Sequence, residues 1–480
     1  MIAINTEHHE YKARKALWKQ YRDLYTGGEQ FRNQAANYLL RRSREPLEVY
    51  QERLNRVFYE NYIGSIIDWY AATLFRREPV ISVEGENDCG RRFFSSFVED
   101  CDRKGTHLAD FFRRQIQEAL ICGSSYTLVD FPLPSEPAVT RADEEASGAA
   151  SAYLVNYSAD DLINWSLDER GEFEWVVLRT AQYRRFSVED PEPVLETRWH
   201  YYDRTHFRIY RRLGRLGLMG MGGDSGPIEL IGEGIHGLAG LNRVPLFELR
   251  LTEGMWLMNK AASLQLEHFN KSNALGWALT MGLFAMPVIF SDREWNKVIG
   301  ESYFLQLGAN DRFGWSEPEG HVYEIATRNL DRLKEEIYRV CYLLAQAGQT
   351  SADGRMISGL SKQRDFAITQ EVLRGFGDAV KDVLRKILLA VEQVRADDLR
   401  VSVSGLDEFD IGDFSSEVED ARKLLDLGVG SPTLRRQIYK KLAFKYLCDE
   451  RQDLKDAIAR EIDESMAREN GKEKEVWKKT

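Results

Sequence analysis

The sequence predicts an α+β protein in which helices at both ends of the chain flank a strand-rich middle. Apolar residues recur at spacings of three and four up to Ile121 and again after Thr327, the period of an amphipathic helix. Between Tyr153 and Arg250 they alternate in short segments separated by turn residues. At 480 residues the chain exceeds the size of a single hydrophobic core, so we expect several structural units.

The first third of the chain is predicted to be helical. Residues 8–24 form a charged amphipathic helix. Pro46 suits the first position of a second, long helix that continues to Leu74. Two more helices, near 91–102 and 106–121, lead into the first strand of the middle region.

The strand-rich region contains one motif that could indicate a cofactor. Gly232–Gly237 matches GxGxxG, the dinucleotide fingerprint, which requires a helix to begin directly after the glycines. Here the glycines lie between short β segments, and Pro245 prevents a long helix after them. We therefore interpret the motif as a glycine-rich hairpin. Residues 132–150 and 219–227 are predicted to be exposed loops.

Residues 272–291 carry no charge and reach the length of a membrane span. Gly276, Gly282 and Pro287 interrupt the segment, and β-type residues follow the proline. This pattern favours a helix that ends and a strand that begins, with the apolar surface buried between subunits rather than in a bilayer.

The most informative segment is a helix, a glycine-rich loop and a second helix of unusual length between Thr327 and Val394. The loop, Ala347–Gly359, has three glycines and no proline. The second helix would span roughly 50 Å, longer than a small domain is wide. A long helix next to such a loop suits an elongated assembly better than a compact enzyme pocket. Toward the C-terminus, Ser416 and Glu419 have capping-box spacing, and Ser431-Pro432 should open another helix.

The amino-acid composition argues against several classes of protein. Hydrophobic residues at 43% and charged residues at 29% are ordinary for a folded protein and exclude disorder. The net charge of −11 disfavours tight phosphate binding to DNA, although an acidic channel could let a polyanion slide past. Five scattered cysteines without a CxxC pair predict reduced core thiols in a cytosolic chain. The first 15 residues lack an apolar core, so we expect no signal peptide.

Known catalytic and metal-binding motifs are not found. The sequence has no Walker loop, HExxH, GxSxG or zinc-type Cys/His spacing. The histidines are scattered, and the paired carboxylates lie on charged segments without a nucleophile or metal ligand set. We therefore expect no catalytic residues, no metal and no cofactor, and a protein that is not an enzyme.

The order of these segments resembles the portal protein family of tailed double-stranded DNA bacteriophages, over nearly the whole chain. Residues 50–81, YQERLNRVFYENYIGSIIDWYAATLFRREPVI, are similar to the portal wing helices and first strand. LTEGMWLMNKAASLQLEHFNKSNALGWALTMG is similar to the first stem helix, and MPVIFSDREWNKVIG to the start of the clip. TRNLDRLKEEIYRVCYLLAQ is similar to the returning stem helix, and AGQTSADGRMISG to the tunnel loop before the long helix.

The resemblance implies a portal-type fold with a mixed α/β wing, a helical stem, a small α/β clip, a long tunnel helix and a helical crown. The implied ranges are these: wing 1–256 (helices 8–121, β-rich 124–250), stem helices 257–282 and 327–346, clip 283–326, tunnel loop 347–359, tunnel helix and return to the wing 360–410, crown and charged tail 411–480.

It also implies a function. Portals are rings, usually of twelve subunits, at one capsid vertex, where the terminase packages double-stranded DNA that is later ejected. The implied partners are further copies of the chain, DNA bound without sequence specificity, the terminase large subunit, a head–tail adaptor, and capsid and scaffold proteins. The implied location is the virion, and the host cytoplasm during assembly. A non-channel head–tail adaptor and a nucleotide-binding enzyme are the alternatives.

Three groups of site residues follow from the resemblance. Residues toward DNA would be Gln349, Thr350, Ser351, Arg355, Lys362 and Arg364. Residues that dock the terminase or adaptor would be Asp292, Arg293, Trp295, Lys297 and Trp315. Residues between subunits in the stem would be Trp277, Leu333, Ile337 and Leu344. Arg355 would contact a phosphate, or instead pair with Asp353.

Overall fold

The computed structural model describes residues 4–132, 150–185, 187–188, 193–214, 226–283, 286–290, 312–316, 320–343, 359–407, 414–426, 431–447, 454 and 457–466. It shows the predicted α+β class. The chain forms two compact units. Unit 1 comprises Met1–Tyr21, Ile67–Asn259 and Ser358–Thr480, and unit 2 comprises Arg22–Ile66 and Lys260–Ile357.

The helices follow the predicted order with different bounds in several places. In chain order they are α1 His9–Thr26, α2 Gly28–Gln34, α3 Leu47–Asn55, α4 Tyr62–Leu74, α5 Asp88–Glu99, α6 Leu108–Cys122, α7 Leu257–Leu283, α8 Gly320–Val340, α9 Gly359–Arg395, α10 Phe414–Asp426 and α11 Pro432–Tyr446.

Within the described residues, the strands pair in four antiparallel sheets. Their bounds are β1 Val80–Glu84, β2 Ser124–Asp130, β3 Tyr153–Ser158, β4 Leu162–Leu167, β5 Phe173–Arg184, β6 Val194–Asp203, β7 His206–Gly214, β8 Glu229–Ile235, β9 Leu246–Arg250, β10 Met286–Phe290, β11 Arg312–Ser316 and β12 Arg400–Ser404. The largest sheet has the order β4-β5-β6-β7-β8, and a second has the order β3-β2-β9. Strand β1 pairs with β12, and β10 pairs with β11.

The core of unit 1 joins the two larger sheets. Alternate residues of a strand point to one face, so each strand can contribute every second side chain to the same core. The buried cluster consists of Tyr126, Leu128, Tyr157, Leu162, Val176, Leu178, Tyr202, Val244 and Leu246. This packing confirms the predicted strand-rich middle of the chain.

Helix α9 is the long helix that the sequence predicts. It has 37 residues, or about 55 Å at the α-helical rise. One stripe of the helix is buried, at Leu373, Phe376, Val380, Leu384, Ile387 and Val391. After the helix, β12 pairs with β1 from Arg400↔Glu84 to Ser404↔Val80, so the chain returns to the strand that follows α4.

In unit 2, the predicted helix from Pro46 to Leu74 is two helices, and the prediction of one helix is wrong. Between them, the Asn273 side chain accepts from the Phe58 N–H at 3.1 Å and donates to the Phe58 carbonyl at 2.9 Å. The Gln265 side chain bonds the Glu60 carbonyl at 2.7 Å and the Ile63 N–H at 3.3 Å. These amides supply the partners that a continuous helix would have provided.

Three other helix boundaries can be compared with the sequence predictions. Two of them differ from the prediction and one agrees with it. Helix α8 begins at Gly320 and ends at Val340, earlier at both ends than predicted. Ser416 lies inside α10, which begins at Phe414, so the predicted capping box is wrong. Ser431 does cap α11, because its hydroxyl accepts from the Leu434 N–H at 3.3 Å, with Pro432 at the first helical position.

The uncharged segment contains the predicted change of structure. Helix α7 ends at Leu283 and β10 begins at Met286. No helix in the described ranges combines the length and apolar character that crossing a bilayer would require.

Candidate ring-contact surface and channel-loop flank

Helices α7 and α8 of unit 2 are held side by side at two levels. The Tyr323 hydroxyl donates to the Ala278 carbonyl at 3.2 Å. Further along, Lys271 Nζ donates to Asn329 Oδ1 at 3.0 Å. These are the two helices that the resemblance to portal proteins predicts to form the stem.

Helix α8 has the two predicted faces. Leu333, Ile337 and Cys341 are buried, whereas Arg328, Arg332 and Glu335 are exposed. Arg339 and Glu336 form an ion pair at 2.6 Å, and the hydrogen bond from Arg339 lowers the pKa of Glu336. Glu324 and Arg328 face each other at 3.8 Å one turn apart. The exposed face therefore carries both signs of charge.

The end of α8 lies directly before the predicted channel loop. Tyr342 has a left-handed backbone (φ 63°), and the Leu343 N–H bonds the Tyr338 carbonyl at 2.9 Å, which closes the helix. Lys260 of α7 lies 4.2 Å from the centroid of the Tyr342 ring. Cys341 is fully buried, and burial raises its pKa to about 12, as expected for a core thiol.

Helix α7 also contains a buried histidine, His268, next to an acidic residue of unit 2. His268 Nε2 lies 3.4 Å from Glu60 Oε2, and its side chain is 4% exposed. Burial lowers the pKa of His268 more than the Glu60 carboxylate raises it, so the imidazole is neutral at pH 7. Sequence reasoning missed Gln265, His268 and Asn273, although polar residues on an apolar helix were a signal for them.

Most of the predicted site residues lie outside the described residues. These are Gln349, Thr350, Ser351 and Arg355 of the loop, Asp292, Arg293, Trp295 and Lys297 of the clip, and Leu344 of the stem. Lys362 and Arg364 lie in the first turns of α9, and Trp315 lies on β11, with the backbone alone described at all three.

The remaining residues predicted for the stem, Leu333, Ile337 and Trp277, differ in the exposure of their side chains. Leu333 and Ile337 are only 4% and 0% exposed in a single chain, so they leave almost no surface for a neighbouring subunit. Both side chains are covered within the chain, and their assignment to a contact between subunits stays a prediction. Trp277 is half-buried, with the Arg56 guanidinium 5.7 Å from its ring centroid, and it keeps surface for a partner.

The glycine motif does not form a dinucleotide site. Gly232 and Gly234 lie on β8, the edge strand of the five-stranded sheet. A Cβ at Gly237 would lie 2.3 Å from the Phe131 ring, so this glycine permits close packing. The chain then forms a three-residue 3₁₀ helix at Ala239–Leu241 and continues into β9. The helix N-terminus that a pyrophosphate requires is replaced by this turn.

One group of possible metal ligands occurs in the described part of the chain, at His8, His9 and Glu10. His8 Nδ1 accepts from the Glu10 N–H at 3.3 Å, and the His8 ring packs on Trp165 with centroids 4.0 Å apart. The His8 ring therefore has local structural partners, and we assign no metal to the group.

No protein-family profile and no curated protein matches the chain. Among solved structures, a chain from the neck of an empty GTA particle, computed with C6 symmetry, is 12% identical at TM-score 0.38, with 77% of this chain and 87% of that chain covered. A chain from the virion of the native gene transfer agent (GTA) particle is 13% identical at TM-score 0.38, with 84% and 96% covered. A chain from the native GTA neck, computed with C12 symmetry, is 12% identical at TM-score 0.35, with 78% of this chain and 89% of that chain covered. These TM-scores are too low to establish a shared fold.

Proposed function

We propose that the chain is a subunit of a phage portal, a ring at one capsid vertex through which double-stranded DNA is packaged and ejected. The observation that carries the proposal is the order of elements from α7 to β12. A long helix, a strand pair, a returning helix and a 37-residue helix are followed by a strand that pairs back to β1. This is the order that the resemblance to portal proteins requires.

The chemistry of the chain suits a conduit. With a net charge of −11, a ring of such subunits would repel the DNA backbone and let DNA slide. The loop between α8 and α9 would face the channel, with Gln349, Thr350, Ser351 and Arg355 in the loop and Lys362 and Arg364 just after it. Arg355 is the residue proposed to reach a phosphate, because guanidinium binds phosphate oxygens in a bidentate manner.

The proposed partners follow from the same assignment. The segment around β10 and β11, including Asp292, Arg293, Trp295, Lys297 and Trp315, would dock the terminase large subunit and later a head–tail adaptor. Capsid and scaffold proteins would surround the ring. ATP hydrolysis would belong to the terminase, and the chain itself would be non-enzymatic.

Negative-stain electron microscopy of the purified full-length protein, with native mass measured in parallel, tests the proposal. We expect rings of twelve subunits with a central hole wide enough for duplex DNA, about 20 Å or more given the groove dimensions. Monomers or dimers at micromolar concentration across several salt concentrations, with and without a scaffold protein, would contradict a portal and favour a non-channel adaptor.

A further inference from the structure

We propose that the loop before α3 is a docking surface for an acidic segment of another protein. This arginine loop spans residues 38–46 and carries Arg41, Arg42 and Arg44. The partner segment would present carboxylates to the arginines and apolar side chains to the leucines beside them. The proposal goes beyond the portal function and rests on the loop alone.

The arginine loop is anchored at both ends. At its start, the Leu40 N–H donates to Asn270 Oδ1 at 2.8 Å. At its end, the Glu45 N–H donates to the Arg42 carbonyl at 3.1 Å, and Glu45 Oε2 accepts from the Arg42 N–H at 3.2 Å. A loop that is already fixed loses less conformational entropy when a partner docks, so the arginines are presented in advance of binding.

The single carboxylate of the arginine loop already has a partner. Glu45 forms its buried ion pair with Arg53 at 2.8 Å. Arg41 donates to the backbone carbonyl of Glu45, from Nη2 at 2.7 Å, rather than to a carboxylate. Among the residues that the structure describes, Arg41, Arg42 and Arg44 form no ion pair. One carboxylate that faces Arg53 cannot neutralise three further arginines, so the loop is a basic surface in a chain of net charge −11.

The three arginines are exposed and have donors to offer. The side chains of Arg42 and Arg44 make no hydrogen bond within the described part of the chain. Three like charges within four residues repel one another, and an anion placed beside them relieves that repulsion. Guanidinium groups bind carboxylates in a bidentate manner, so these donors suit the side chains of aspartate and glutamate.

Two exposed leucines flank the arginines in the sequence. Leu40 is 69% exposed, and Leu47, in the first turn of α3, is 56% exposed. Covering such a side chain with apolar groups is favourable by about 25 cal/mol for each Å² removed from water. A protein segment can supply carboxylates and apolar side chains together, whereas a phosphate backbone supplies only the charge.

Nucleic acid fits the arginine loop less well than an acidic protein segment does. Affinity for a duplex grows with the number of phosphates that cations neutralise, and three arginines on one short loop neutralise few. Glu48, exposed in the first turn of α3, lies directly after the loop. Together with the net charge of −11, it would repel a long polyanion that runs past the loop.

Fluorescence anisotropy with the full-length protein and a labelled synthetic peptide of alternating glutamate and leucine tests the charge. We expect R42Q/R44Q to raise the Kd for this peptide about tenfold or more. The matched control is K12Q/K19Q on α1, because Lys12 and Lys19 are exposed and form no ion pair among the described residues. It should bind like the wild type. Unchanged melting temperatures show that both variants fold. An unchanged Kd for R42Q/R44Q, or an equal loss in the control, would overturn the proposal.

A second set of probes tests the chemistry of the partner. L40S/L47S should weaken binding of the glutamate–leucine peptide several-fold and leave binding of a glutamate–serine peptide unchanged. A glutamine–leucine peptide should bind at least tenfold more weakly than the glutamate–leucine peptide. If a short duplex DNA bound the arginine loop more tightly than the peptide, the acidic-protein assignment would be wrong and the loop would be a nucleic-acid surface. Failure of the wild type to form rings would count against the portal and not against this surface.

Discussion

At the scale of single residues, Arg53 and Glu45 of unit 2 form a buried ion pair. Arg53 Nη1 lies 2.8 Å from both Glu45 oxygens, and the two side chains are 5% and 3% exposed. The Arg42 N–H also donates to Glu45 at 3.2 Å. Removing one partner would leave a buried charge without compensation, which costs far more than loss of a surface pair.

We predict that E45Q lowers the free energy of unfolding of the protein by about 3 kcal/mol, because Arg53 would keep its buried charge. The matched control is E52Q on α3, where Glu52 pairs with Arg56 at 2.9 Å and both side chains are about half exposed. That change should cost less than about 0.5 kcal/mol. Urea denaturation followed by circular dichroism measures both, and equal losses would contradict the prediction.

The same pair should make stability depend on pH. Burial by itself raises the pKa of Glu45, but the hydrogen bonds from Arg53 and Arg42 outweigh it, and the pKa lies below its ordinary value of 4.5. The stabilisation is therefore fully present above 4.5 and is lost as pH falls through the lowered pKa. We expect the unfolding free energy of the wild type to decrease more steeply below pH 4.5 than that of E45Q. Parallel curves for the two proteins would show that another group titrates.

At the scale of elements, helix α9 depends on one glycine for its packing. A Cβ at Gly377 would lie 2.0 Å from the Leu406 carbonyl oxygen, which is backbone and cannot move away cheaply. A Cβ at Gly375 would meet the Met255 methyl at 2.7 Å, the flexible end of a side chain. The two glycines thus have different roles.

We predict that G377A destabilises the protein by about 1–3 kcal/mol, as expected for overpacking. G375A should be close to neutral or slightly stabilising, because alanine favours a helix interior over glycine by about 0.5–1 kcal/mol. Thermal unfolding of the two variants provides the comparison. If G377A were as stable as G375A, the close contact with Leu406 would not restrict the helix.

At the scale of the whole molecule, the proposed portal function implies that the segment before α9 serves DNA handling rather than assembly. Residues 349–358 lie outside the described residues. In the sequence they fall between the end of α8 and the start of α9. If they face the channel of the proposed portal, the ring should not need them. Their removal should then affect only the movement or retention of DNA.

We predict that deletion of Gln349–Ser358 leaves the ring intact and abolishes or strongly reduces DNA packaging or retention. Electron microscopy of the variant and a DNA-packaging assay with the cognate terminase measure the two properties separately. R355A is the milder companion and should retain rings with a partial packaging defect. Loss of rings in the deletion variant would show that the loop is structural.

The sequence by itself determined the class, the element order and most helix faces. Periods of 3.6 and 2 are local properties, so the stripe of α9 and the strands of the middle region could be predicted from spacing alone. The Ser431 cap is equally local. The absence of charge from 272–291, interrupted by Pro287, was enough to predict a helix followed by a strand.

Only the tertiary structure decided what depends on residues far apart in the chain. The division of residues 47–74 into two helices requires Asn273 and Gln265, more than 200 positions away, to satisfy the backbone of Phe58 and Glu60. The burial of Leu333 and Ile337 within one chain is likewise visible only in the packed structure. Spacing shows that a residue is on an apolar face, but only packing shows what covers that face.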